Sequence, residues 1–246
     1  MKSTTIRDSN FSLGTWISIG SPVVAELACQ FSFDWLLIDF EHGAVSTAVL
    51  PDILRGVSNR KPAVIVRLPD LQPALISHVL DWGADGIMLP HIRSAEEAKA
   101  CVAAIYYPPY GSRGYSSSVR AYGYGTKVPA DLSGIKPLFF AQIEDPAGVD
   151  HADAIAAVDG VDVLFVGPAD LKLALASTQE CDKSGFERAI DHVVAATKRY
   201  GKRAGILVRD HQTINQLQKK GFSCLAVDSD LSILRDGYQL VSRLKK

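Results

Sequence analysis

Long apolar runs are missing from this 246-residue chain. None approaches the 18 residues that a membrane-spanning helix needs, so no membrane span is expected. An excess of one charge is missing too: 26 basic residues face 27 acidic ones, for a formal net charge of -1. Nucleic-acid binders usually carry a basic stripe or face, and none is visible here. The nearest approach, Lys198-Arg199 with Lys202-Arg203, falls at an expected helix end and reads as a solvated terminus. Cysteine is sparse. Cys29, Cys101, Cys181 and Cys224 are scattered, without CxxC or a zinc-like spacing. Three of them, Cys29, Cys101 and Cys224, lie among apolar residues and read as small buried hydrophobes. Met1 to Asp8 has a basic residue but no apolar segment behind it, unlike a secretory leader. Cytoplasmic residence is the expectation. What remains is an ordinary globular mixture, 47% apolar and 22% charged, long enough for one substantial core.

Strand and helix patterns alternate along the whole chain. Strands are predicted at 13–19, 35–38, 62–67, 86–89, 137–143, 161–166, 203–207 and 224–227. Helices are predicted after Pro22 to residue 30, and over 47–57, 71–82 and 94–104. The last of these opens on Ser94 with Glu97 three residues on, the pattern of a capping box. Asp145-Pro146 opens the next in the order a cap and a first-turn proline prefer. After the sixth strand the helix is expected to be delayed to 184–200; two more follow at 211–220 and 229–244. The stretch from Tyr107 to Gly134, rich in Gly, Pro and Tyr, reads as an ordered functional loop. Eight strand–helix units over residues 1–246 predict a single-domain (β/α)8 TIM barrel. The competing doubly wound sheet has no need of eight regular units, and no GxGxxG follows any strand.

In such a barrel the active site lies where the strands end. Asp39, Glu41 and His42 follow the second strand, Arg67 ends the third, Gln142 and Glu144 end the fifth, and Asp170 follows the sixth. Glu144 and Asp170 are two carboxylates on adjacent strands, a pair suited to a hard divalent cation; the alternative is that each caps a helix or turn. Asp39 stands three residues before His42, where a carboxylate orients and strengthens an imidazole base; a structural loop histidine is the alternative. His91, after the fourth strand, is a second rim candidate. Arg67 closes an apolar strand and suits a carboxylate or an oxyanion, or else pairs structurally with Asp39 or Glu41. A Schiff-base nucleophile is harder to find. Lys61, Lys136 and Lys202 precede strands, and Lys172 is expected in an open loop. The segments Val208-Arg209-Asp210 and Asp228-Ser229-Asp230 lack glycine and carry acids, which disfavours a phosphorylated substrate. A non-catalytic barrel that only binds its ligand would be expected to lack part of this polar set.

These segments as a set resemble one family. They are Asp34 to Gly43, Val66-Arg67, Leu80 to Ala84, Met88-Leu89-Pro90, Tyr107 to Gly114, Gln142-Ile143-Glu144 and Val166 to Leu171. From residue 11 onward the chain is similar to the class II pyruvate-dependent aldolases of the HpcH/HpaI aldolase/citrate lyase family. The resemblance implies aldol cleavage of a 4-hydroxy-2-oxo acid to pyruvate and an aldehyde. It implies a divalent cation, Mg²⁺ or Mn²⁺ with Co²⁺ as a third choice, on Glu144 and Asp170, with no Schiff base. It also implies His42 with Asp39 as acid/base, Arg67 on the oxo acid, Gln142 beside it, and the backbone of Gly167, Pro168 and Ala169 receiving the substrate carboxylate. Homohexamers, with the last helix packed on a neighbour, belong to the same expectation. Related enzymes that cleave acyl-CoA thioesters, or couple decarboxylation to bond formation, remain alternatives. Phe40, His91, Ile92, Asp145 and Lys172 depart from the family pattern and bear on the aldehyde partner, since bulk and charge near a pocket set specificity.

Overall fold

The computed structural model describes residues 6–57, 62–177 and 183–245; Lys61, Cys181 and the run before Ile6 lie outside them. The strands are β1 Ser12–Ile17, β2 Trp35–Asp39, β3 Ala63–Arg67, β4 Gly86–Leu89, β5 Leu138–Ile143, β6 Val163–Val166, β7 Arg203–Val208 and β8 Phe222–Ser229. They pair in parallel in sequence order, and β8 returns to β1 to close the barrel. The helices between them are α1 Pro22–Ala28, α2 Leu50–Val57, α3 Pro73–Asp81, α4 Ala95–Ile105, α5 Pro146–Asp150, α6 Ala152–Ala156, α7 Pro168–Ala176, α8 Lys183–Arg199, α9 Ile214–Lys220 and α10 Asp230–Ser242. The expected (β/α)8 barrel is therefore present. No described helix is long and apolar enough to cross a membrane.

Strand residues alternate between two apolar clusters, as a period of two requires. Leu36, Ile38, Val64, Val66, Phe139 and Ala141 face the helices. Trp35, Leu37, Ala63, Ile65, Phe140 and Phe165 face inward. Inside, Trp35 meets Phe140 and Phe165 edge-on, with ring centroids 5.5 and 6.1 Å away. Gly14 makes this possible: a Cβ there would stand 2.3 Å from the Trp35 indole. At the opposite end of the barrel from the strand termini, Asp34, Asp85 and Asp162 recur just before β2, β4 and β6. Each accepts a 2.9 Å hydrogen bond from a backbone N–H of the preceding strand, at Leu13, Val64 and Phe139.

Two local expectations need correction. The helix expected at 184–200 is present as α8, but a shorter one precedes it: Gly167-Pro168 starts α7 at once, and Leu171 and Leu175, one turn apart, bury against the barrel. Lys172 is thus on an exposed helix, its ammonium over the Phe186 ring, and not in an open loop. At α4 only half of the capping box forms. Ser94 accepts from the Glu97 N–H, but the Glu97 carboxylate accepts from Arg93 N–H, one residue before the cap. Asp145 does cap α5, accepting from Gly148 N–H at 2.8 Å. The basic cluster near α8 is engaged locally: Arg199 pairs with Asp153, and Lys202 donates to the Val158 carbonyl.

Truncating the central inward ring should expose how far the barrel depends on it. Trp35→Ala is expected to lower the unfolding free energy by about 3–5 kcal/mol, the usual loss for emptying a buried large aromatic. Urea unfolding followed by circular dichroism measures this, and a loss below about 1 kcal/mol would show that the barrel collapses around the gap.

Candidate active site

Arg67 ends β3 directly beside Asp39 at the end of β2. Its side chain is buried and each of its three nitrogens has a carboxylate partner. Nε and Nη2 donate to the two Asp39 carboxylate oxygens at 2.9 and 2.8 Å, Nη1 lies 2.7 Å from Glu41 Oε2, and the guanidinium rests 4.3 Å from the Trp16 ring centroid. A planar fork matches a carboxylate in this way, and its weakly hydrated face tolerates an aromatic neighbour. One guanidinium thus serves two carboxylates. Burial, the largest influence, pushes the Glu41 carboxyl above its ordinary range; Arg67 opposes this, and the negative charge of Glu144 adds to it.

The expected Asp39–His42 pairing is corrected. Asp39 is taken by Arg67, and what it accepts from the next loop is backbone: the N–H groups of Glu41 and His42, at 3.1 and 3.3 Å. The His42 ring points outward with 70% of its side chain exposed, and its nearest carboxylate is Glu41, 4.0 Å from Nε2. Glu41 enters as the structural alternative expected for Arg67, which pairs with both Asp39 and Glu41. Its signal is position: two residues beyond Asp39, at strand spacing, it returns to the same side.

The second half of the rim is built on β5 and β6. Ile143 pairs with Val166, and Gly167 N–H donates to the Ile143 carbonyl at 3.0 Å, bringing the start of α7 against Glu144. A Cβ on Gly167 would fall 2.5 Å from Glu144 Oε2, so only glycine lets the turn approach this closely. Glu144 is buried. Gln142 Nε2 donates to its Oε2, and His91 N–H donates to Oε1 at 2.9 Å. No Lys or Arg among the described residues pairs with it. The α7 N-terminus has no side-chain cap; Pro168 is half-buried there, and Ala169 and Asp170 are exposed on its first turn. Asp170 has no hydrogen bond or ion pair to another of these residues among the described ones.

Among the described residues no three His, Cys, Asp or Glu side chains converge as a ready-made metal cluster. The donor set nevertheless fits a hard divalent cation. Glu144 is a buried carboxylate without a fixed cation, Asp170 adds an exposed carboxylate across the Gly167 turn, and the buried Gln142 Oε1 has no hydrogen-bond partner. On the far rim, Asp228 holds the His211 ring at 2.6 Å, which ties the loops after β7 and β8 together.

A closed parallel barrel with an arginine, a histidine and several carboxylates gathered where its strands end defines an enzyme of the (β/α)8 class. Comparison with known proteins narrows this. The model of the HpcH/HpaI aldolase/citrate lyase family matches residues 12–236, and the chain belongs to that family. A 5-keto-4-deoxy-D-glucarate aldolase of Klebsiella pneumoniae subsp. pneumoniae is 35% identical over 236 residues, 95% of this chain and 92% of its own. The crystal structure of an HpcH/HpaI aldolase/citrate lyase family protein from Burkholderia cenocepacia J2315 superposes with a TM-score of 0.92, at 31% identity and full coverage of both chains. The structure of citrate synthase SbnG gives a TM-score of 0.83 at 26% identity, covering 100% of this chain and 97% of that one. The chain is accordingly a carbon–carbon lyase of the aldolase type.

Removing the guanidinium should strand two buried carboxylates. Arg67→Met is expected to cost about 3–5 kcal/mol of stability near neutral pH. Glu41 already binds its proton more tightly when folded, so its contribution weakens the fold as pH rises from the unfolded carboxylate range through its raised folded value. Without Arg67 that folded value rises further, and the deficit against wild type should shrink on acidification. Urea midpoints at about pH 5 and about pH 8 test this, and a deficit that does not change with pH would contradict it.

Proposed function

We propose that the enzyme catalyses reversible aldol cleavage of a 4-hydroxy-2-oxo acid to pyruvate, or a close 2-oxo acid, and an aldehyde. The observation that carries this reading is the buried Glu144 carboxylate, held without a Lys or Arg beside the uncapped start of α7. Glu144 and Asp170 would hold Mg²⁺ or Mn²⁺, with Co²⁺ as a further choice. When bound, the cation would supply Lewis-acid stabilisation of the negative charge that develops on the oxo acid. The backbone around Gly167, Pro168 and Ala169 suits the substrate carboxylate, with the first-turn N–H groups of Ala169 and Asp170 as donors, since a helix N-terminus favours an anion. Arg67 would face the oxo group while Asp39 and Glu41 hold its plane, and Gln142 would line the same pocket.

Cleavage breaks the C3–C4 bond. The C4 hydroxyl proton leaves to a base as the new aldehyde forms, the bond's electron pair goes to C3 as the enolate, and C3 then takes up a proton to give pyruvate. His42 is assigned the proton at the C4 oxygen, directly or through water, with Glu41 as its neighbouring carboxylate. The dependence on a 2-oxo acid is supported by the relatives named as 5-keto-4-deoxy-D-glucarate aldolase. We read the protein as cytoplasmic and homohexameric, with α10 packed on a neighbouring subunit. Support for the packing of α10 lies in Leu231, Leu234, Tyr238 and Val241, which recur along it and are exposed, and in Val23, Leu27 and Phe31, exposed on and just after α1.

Steady-state cleavage with and without EDTA, in wild type and variants, tests the chemistry. Glu144→Ala and Asp170→Ala should lose metal-dependent turnover while staying folded, and His42→Ala should retain pyruvate binding but turn over about 10²–10⁴-fold more slowly. Full activity in EDTA, with borohydride trapping pyruvate on a lysine, would overturn the reading. The assembly has its own check: Leu234→Asp with Tyr238→Asp should reduce the sedimentation mass to that of a smaller species, and an unchanged hexamer would exclude α10 from the interface.

A further inference from the structure

The loop after β4 is fastened on both sides. Leu68 N–H donates to the Met88 carbonyl and Ile92 N–H to the Gln142 carbonyl, both at 3.1 Å. Arg93 Nε donates to Asp145 at 2.5 Å, and His151 Nδ1 lies 2.7 Å from the Arg93 carbonyl. Between these anchors His91 adopts φ +54°, the left-handed region that a side chain other than glycine seldom enters. Such a conformation persists only where the surroundings force it, and it clusters at functional sites.

Here the turn has a visible result. It aims the His91 N–H at Glu144 Oε1, 2.9 Å away, and brings the ring Nδ1 to 3.2 Å from the same oxygen. Gln142 takes the other oxygen. Both oxygens of a buried carboxylate are thereby oriented, and by donors that are not Lys or Arg. The ring is half-exposed, so burying the histidine itself does not explain why the turn is held.

We propose that His91 is a positioning residue: its left-handed turn and its ring together hold the Glu144 carboxylate so that it presents an oxygen to a divalent cation. This rests on the reading of Glu144 as a metal ligand. Partners that orient a ligating group set metal affinity, and losing one typically weakens binding about 10–100-fold. The ring acts as a donor from Nδ1, and its partner oxygen remains the one that the main chain also holds.

Titration of metal-stripped protein with Mn²⁺, followed by electron paramagnetic resonance without substrate, reads this separately from turnover. His91→Gly keeps the main-chain donor, relieves the left-handed turn and removes the ring. It should bind Mn²⁺ about 10–100-fold more weakly with no fall in melting temperature. His91→Asn, which tolerates the same backbone and offers an amide donor, should recover most of that affinity. Wild-type affinity in His91→Gly, alongside a loss in Glu144→Gln, overturns the proposal and leaves the Glu144 reading standing. Wild-type affinity in Glu144→Gln overturns that reading itself. A His91→Gly variant that loses melting temperature and affinity together, with no recovery in His91→Asn, marks a merely structural residue and also overturns the proposal.

Discussion

A guanidinium taken out of water needs carboxylates around it, and the arrangement of this rim follows from how Arg67 meets that need. Asp39 gives it a two-point grip from the adjacent strand, Glu41 reaches it from the following loop, and Trp16 lies across its face from β1. Three strands and a loop are thereby fixed to one plane of nitrogen atoms. The shared positive charge also bears on Glu41, whose carboxyl is driven upward by burial and restrained first by Arg67 and then by His42.

The opposite side of the mouth solves the reverse problem. Glu144 is an acid out of water with no Lys or Arg partner among the described residues, supported by an amide, a main-chain N–H and a nearby imidazole. Those donors orient the carboxylate. The two halves are electrostatically joined, since the charge on Glu144 is felt at Glu41. A rim with a compensated arginine on one side and, on the other, a carboxylate without a Lys or Arg partner among the described residues is electrically asymmetric, and the proposed function draws on that asymmetry.

Much of this was legible in the chain itself. Short, nearly continuous apolar runs bounded by turn residues located the eight strands, because strands buried on both faces must be apolar throughout. Closure in sequence order then placed Asp39, Arg67, Gln142 and Glu144 at one end, because parallel strands share a direction. Segment motifs carried the family, which the comparisons show. Local patterns were less dependable where two acceptors competed for one donor or one acceptor had two donors in reach. Glu97 turned to Arg93, and Asp39 turned from the expected His42 ring to Arg67.

The difference lies in range. Hydrophobic period, the helix start at Asp145-Pro146, and the position of a residue beyond a strand are properties of neighbours along the chain, so the amino-acid order determines them. Which donor meets which acceptor across the mouth is settled by strand register and by the approach of separate loops. The contact of Trp16 with Arg67, 51 positions apart by their numbers, and the turn that carries His91 to Glu144 have no counterpart in local spacing. Tertiary structure decided those contacts because a buried charge takes the best-placed partner that the closed barrel brings to it, however far away that partner stands in sequence.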